Sequence, residues 1–144
     1  MKEVKHKLKQ TNASAELIIQ GEKSAIKEVA EKIKISQSEG LLITKEQSNI
    51  NLRSYLRYYI TAEETLEAEE AIKKIIRSFS PQVDILNDLQ KKYGLKCHIN
   101  LLINIVKNMP PGIVLDDSIT QFASKLNAAI NIDMRIEPII LLPK

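Results

Sequence analysis

Catalysis or metal binding would start from cysteine, histidine or paired carboxylates, and this chain offers few of them. It has one cysteine, Cys97, and two histidines, His6 and His98. Cys97 and His98 are adjacent, on paper a nucleophile beside a general base. They lie in an alternating apolar run, and neighbouring strand residues point to opposite faces, so the two side chains cannot meet. The expectation is a buried thiol and a surface imidazole. His6 belongs to a basic N-terminal stretch, and one Cys with two distant His gives no zinc-type spacing. Asp116 and Asp117 resemble a carboxylate pair, but an apolar-periodic segment follows them at once. Helix capping accounts for one and solvent exposure for the other. Gly21, Gly40, Gly94 and Gly112 are too scattered to cradle a phosphate. The residues therefore predict a binding protein rather than an enzyme, with no catalytic residue, no metal and no cofactor.

One constellation stands apart. Arg53, Tyr55, Arg57 and Tyr59 alternate with Ser54, Leu56, Tyr58 and Ile60, so on a strand the cations and aromatics share one face. Three uses fit such a face. Acidic residues on neighbouring strands can neutralise the arginines, with Glu16, Asp133 and Glu137 as the candidates. A protein partner can use it, because Tyr and Arg are enriched at binding hot spots. Single-stranded RNA can stack on the tyrosines while the arginines hold phosphate. We rank the three in that order.

The elements that would position this face follow from periodicity. Ala15–Gln20 reads as a strand closed by Gly21. Ser24 is placed to cap a helix whose stripe is Ile26, Val29, Ala30 and Ile33. Leu41–Ile43 is a brief strand within a polar stretch, and Leu52–Thr61 is the strand that carries the Arg/Tyr face. Thr61 and Glu64 fit a capping box, with Thr65 as the alternative cap, for a helix whose acidic start runs from Glu63 to Glu70 and whose stripe is Ile72, Ile75, Ile76 and Phe79. Ser80-Pro81 restarts a helix through Val83, Leu86, Leu89 and Tyr93 up to Gly94. Leu95–Val106 is the strongest strand. Pro110-Pro111-Gly112 turns the chain into a short strand at Ile113–Leu115. A helix with Ile119, Phe122, Ala123 and Leu126 ends at Asn127, and the last strand alternates Ile132, Met134 and Ile136 against Asp133, Arg135 and Glu137.

The predicted order is β-α-β-β-α-α-β-β-α-β. One-faced strands imply an α+β domain, a mainly antiparallel sheet with helices on one side. Residues 52–137 carry the βαββαβ order of a ferredoxin-like unit if the two middle helices count as one connection.

Charge sharpens the choice of partner. Lys2, Lys5, Lys7 and Lys9 against Glu3 account for the whole formal net charge of +3, and the rest of the chain is balanced. A neutral body lacks the phosphate contacts of a duplex-binding surface, so nucleic acid ranks below a protein partner or self-association as a homodimer. Residues 1–12 read as a basic flexible tail and 13–144 as one domain. A single cysteine, and a start with no apolar segment after its lysines, point to a cytoplasmic setting. No run approaches the ~20 apolar residues of a membrane span; Ile139–Leu142 is too short and Pro143 ends it.

Three stretches carry a family likeness. They are LIIQG (17–21), LEAEEAIKKIIRSFSPQVDILNDLQKKYGLKCHINLLINI (66–105) and PGIVLDDSITQFASKLNAAINIDMRI (111–136). Together they resemble the bacterial family of domain of unknown function 4279, across roughly residues 15–138. The resemblance rests on a Glu- and Leu-rich helix, a P-x-x-x-x-L-x-x-L helix, a hydrophobic strand and the closing L-D…A-x-L-x-A-x-I-x-I-D pattern. That family usually carries a Trp before the long helix; here Tyr55 or Leu56 stands near its place and the chain has no Trp. The likeness implies a fold and a bacterial cytoplasmic setting. It also implies a candidate immunity or antitoxin protein, one that neutralises a partner toxin.

Overall fold

The computed structural model of the chain describes residues 8–34, 41–46 and 53–137, with the backbone alone described at 41–46 and at Arg53. His6, Gly40, Leu52 and the Ile139–Leu142 run lie outside the described residues. The elements are β1 (Asn12–Glu22), α1 (Lys23–Lys32), β2 (Leu41–Glu46), β3 (Arg53–Glu64), α2 (Glu70–Phe79), a 3-10 turn (Ser80–Gln82), α3 (Val83–Tyr93), β4 (Lys96–Ile105), α4 (Asp117–Lys125) and β5 (Ala129–Ile136).

The strands form one sheet in the order β2-β3-β1-β4-β5. β1 is flanked antiparallel by β3 and β4, β2 is antiparallel to β3, and β5 is parallel to β4. The fold is α+β with a mixed sheet. The apolar alternation is the reason for the layering. Ala15, Leu17 and Ile19 of β1 lie in register with Ile60, Tyr58 and Leu56 of β3, and Ala13, Ala15, Leu17 and Ile19 with Ile103, Leu101, Ile99 and Cys97 of β4, and all are buried. The same cluster includes Ile26 and Val29 of α1, Ile72, Ile75 and Phe79 of α2, Leu86 and Leu89 of α3, and Ile119 and Phe122 of α4. All four helices thus cover one face.

Specific contacts fix the helices. Tyr58 meets Phe79 edge to face at 5.1 Å between ring centroids, and its hydroxyl lies 2.8 Å from the Ser78 hydroxyl. The Tyr93 hydroxyl of α3 donates to the Glu28 carboxylate of α1, which also holds Lys32 at 2.9 Å. Asp116 caps α4 by accepting from the Ile119 N–H at 3.1 Å, and Asn127 closes that helix with a φ of 49°.

The sequence reading departs from the structure at several elements, each for a physical reason. The T-x-x-E capping box at Thr61 and Glu64 does not form. β3 instead runs on to Glu64, because Ala13 and Asn12 offer a ladder to Glu63 and Glu64 beyond a bulge in β3, where Thr61 and Ala62 lie opposite Ser14. Nor does Thr65 cap α2; its hydroxyl accepts from the Glu67 N–H at 2.9 Å in a local turn, and the helix starts at Glu70. α1 begins at Lys23, so Ser24 lies inside it. No strand forms at Ile113–Leu115. β4 already has β1 on one side and β5 on the other, which leaves no edge for a hairpin partner, and Pro110 and Pro111 lack the N–H a ladder needs. Gly112 makes the local pairing alone: its N–H donates to the Leu66 carbonyl at 2.8 Å, and its carbonyl accepts from the Ala68 N–H at 3.1 Å. Residues 53–137 consequently hold three strands, not the four that a βαββαβ unit requires. Ordered packing also starts before residue 13, since Thr11 and Asn12 are buried.

Gly94 ends α3 with a φ of 62°, and a Cβ there would meet no atom within 4 Å. Its role is conformational alone. Gly94→Ala is expected to cost about 1 kcal/mol in urea unfolding with an unchanged m-value. An unaltered midpoint would mean that the left-handed cap contributes nothing.

Candidate functional site

The face of the sheet turned away from the helices is uncovered among the described residues, and the residues singled out by type sit on it. Tyr55, Arg57 and Tyr59 of β3 are half-buried and alternate with the buried Ser54, Leu56, Tyr58 and Ile60. Arg53 belongs to the same strand and pairs in register with Glu22, but its side chain is outside the described residues. Register carries the face onto the neighbouring strands. Tyr59, Glu16, Asn100 and Asn131 form one row; Arg57, Ile18 and His98 form the next; Tyr55, Gln20 and Lys96 form the third.

Glu16 organises this surface. One carboxylate oxygen accepts from Arg57 Nε, and the other accepts from Asn100 Nδ2 at 3.2 Å. Asn100 Oδ1 in turn accepts from Asn131 Nδ2 at 2.9 Å. A polar chain therefore crosses β3, β1, β4 and β5. Held by Glu16, the Arg57 guanidinium lies over the Tyr59 ring, 4.5 Å from its centroid. Of the three acidic neighbours that could neutralise the arginines, Glu16 does so for Arg57. Asp133 lies 3.9 Å from Arg135 instead.

Two shallow depressions flank the Glu16–Arg57 pair. One, of about 160 Å³, is lined by Ser14, Tyr59, Asn100 and Leu102 as well as the pair; the other, of about 260 Å³, adds Ile18, Gln20 and Tyr55. Both fall below the ~300–1,000 Å³ of ordinary small-molecule pockets. They suit side chains of a partner surface better than an engulfed ligand.

The chemistry-bearing residues singled out by type are not brought together. Cys97 is in the core, where burial pushes its thiol up to about 12, while His98 lies half-buried on the opposite face. Among the described residues no group of three His, Cys, Asp or Glu could hold a metal ion, and no helix is long and apolar enough to cross a membrane. Asp116 and Asp117 do not act as a pair: Asp116 bonds the Ser118 hydroxyl at 2.6 Å and the Ile119 N–H, while Asp117 is exposed in the first turn of α4.

Residue typing missed Asn131. Its place is set by a parallel pairing reached through α4, for which no local signal exists. The alternation of the Leu95–Val106 run puts Asn100 on the same face as His98, but its bond to Glu16 needs the β1–β4 register.

A family model described as domain of unknown function (DUF4279) matches residues 9–137. The chain belongs to the DUF4279 family. The matched span takes in every strand and helix named above, so the whole sheet and its open face are features of this DUF4279 domain. No curated protein and no solved structure matches the chain.

Asp116 gives this DUF4279 domain a pH-dependent helix end. The Ser118 hydroxyl, then the Ile119 N–H and Lys73, hold its carboxyl below the ordinary 3.8. A carboxyl lowered on folding stabilises fully above its unfolded value, and that stabilisation is lost as pH falls through the folded value. Asp116→Ala should therefore lower the thermal midpoint at pH 7, with the gap to wild type narrowing below about pH 4. A gap that stays constant down to pH 2 would contradict the charged cap.

Proposed function

We propose that this chain is a non-enzymatic protein-binding module that covers a partner with the open face of its sheet around Tyr55, Arg57 and Tyr59. The observation that carries the reading is the Glu16-held Arg57 stacked on Tyr59 on an uncovered face. A guanidinium already fixed over an aromatic ring loses little further freedom on association, and both residue types favour protein interfaces. Within that class we place an immunity or antitoxin role first, on the strength of the family resemblance and of a cytoplasmic setting. Occluding a toxin needs a rigid surface and no chemistry.

We also read β1 to β4 as ferredoxin-like, with β5 added beyond β4. The support is the chain order β-α-β-β-α-β, with α2 and α3 as one connection, and the sheet order β2-β3-β1-β4. Single-stranded RNA binding is the second reading. It is weakened because Glu16 already neutralises Arg57 and Arg57 occupies one face of the Tyr59 ring.

A photo-crosslinking side chain placed at Gln20, which lines the larger depression, should capture one protein stoichiometrically in host cells. The same probe at Asp88, exposed on α3, should not. Capture at Asp88 alone would move the interface to the helical layer. Salt-sensitive RNA retention weakened by Tyr55→Ala with Tyr59→Ala would replace the proposal with the RNA reading.

A further inference from the structure

Among the described residues β5 is the last strand of the sheet, beside β4. Its parallel ladder, with the Glu137 N–H donating to the Ile105 carbonyl at 3.0 Å, turns the backbone groups of the odd-numbered residues toward β4. The N–H and C=O groups of Ile130, Ile132, Met134 and Ile136 therefore point out along the open edge. The side chains of Ile132, Met134 and Ile136 lie in register with Leu101, Ile103 and Ile105, on the helix-bearing side, yet they remain 41%, 51% and 70% exposed. Asp133 and Arg135 project from the other face, each 68% exposed. An apolar edge of this length is a template for pairing with another strand.

The sequence of the edge selects the partner. Ile132-Asp133-Met134-Arg135-Ile136 reads the same in either direction in its apolar positions, and its two charges invert about Met134. We propose that β5 pairs antiparallel with β5 of a second copy about a twofold axis at Met134, joining two sheets into one. In this register Met134 faces the partner's Met134, and Ile132 faces the partner's Ile136. Each of these even-numbered pairs exchanges both backbone bonds, and each Asp133 lies across from the partner's Arg135. Centring the axis on Asp133 would oppose two aspartates. Centring it on Arg135 would oppose two arginines and set Asp133 against Glu137. Of these three registers the one centred on Met134 alone sets unlike charges against each other and keeps all five residues of the strip paired within β5, and a self-complementary strip is what a twofold interface requires.

Light scattering after size exclusion should give twice the 16.3 kDa chain mass. Asp133→Arg and Arg135→Asp should each weaken the dimer by roughly tenfold or more, because each opposes like charges at two places. An equimolar mixture of those two variants should regain it, since every Asp then faces an Arg. Met134→Pro, whose lost N–H points away from β4, should give a monomer with an unchanged far-UV spectrum. A monomeric wild-type chain at high micromolar concentration would overturn the proposal. So would a dimer that ignores the charge changes, or single variants that fail to recombine.

Discussion

The open face depends on the carboxylate of Glu16. It sits on the central strand, in register with Tyr59 on one side and Asn100 on the other, and it bonds side chains from both neighbours. Without it Arg57 would be an unpartnered cation among half-buried groups, and Asn100 would lose the acceptor that orients it toward Asn131. Burying charge is tolerated only where it is paired and hydrogen-bonded. One acidic residue on β1 thus orders a row of side chains that spans four strands.

The position of Glu16 follows from β1 itself. Leu17 and Ile19 have no exposed surface, because helices pack over that side of the strand. A one-residue slip of β1 would bring Glu16 and Ile18 to the core side and expel Leu17 and Ile19. The hydrophobic layer therefore locks the register that the polar row uses. At Thr11 the same lock reaches across to the end of β4, where its hydroxyl accepts from the Val106 N–H at 3.1 Å. A rigid central strand with one apolar and one polar face is the device that lets a small domain present a shaped surface without a deep pocket.

Strand alternation made much of this legible. The two faces of β3 and β4, the stripes of α2 and α4, a cap at Asp116 or Asp117 and the Gly94 stop were all written in local spacing. The opposite facing of Cys97 and His98 came from the same period of two. Three features were hidden because non-local pairing decides them. Thr61–Glu64 looks like a helix start but is drawn into β3 by the first residues of β1. Ile113–Leu115 looks like a strand but finds no sheet edge. β5 alternates like any antiparallel strand, yet a crossover through α4 lays it parallel to β4. Arg57 and Tyr59 were recognisable by type and face, and Glu16 by charge; that all three meet is a product of register.

The most direct measurement is a double-mutant cycle between Glu16→Gln and Arg57→Gln, read by urea unfolding. If Glu16 organises the face through Arg57, the two substitutions should be non-additive, with a coupling of about 0.5–1 kcal/mol for a partly exposed pair. Effects that simply add would contradict the account, because the face would then stand without the bond on which its shape is argued.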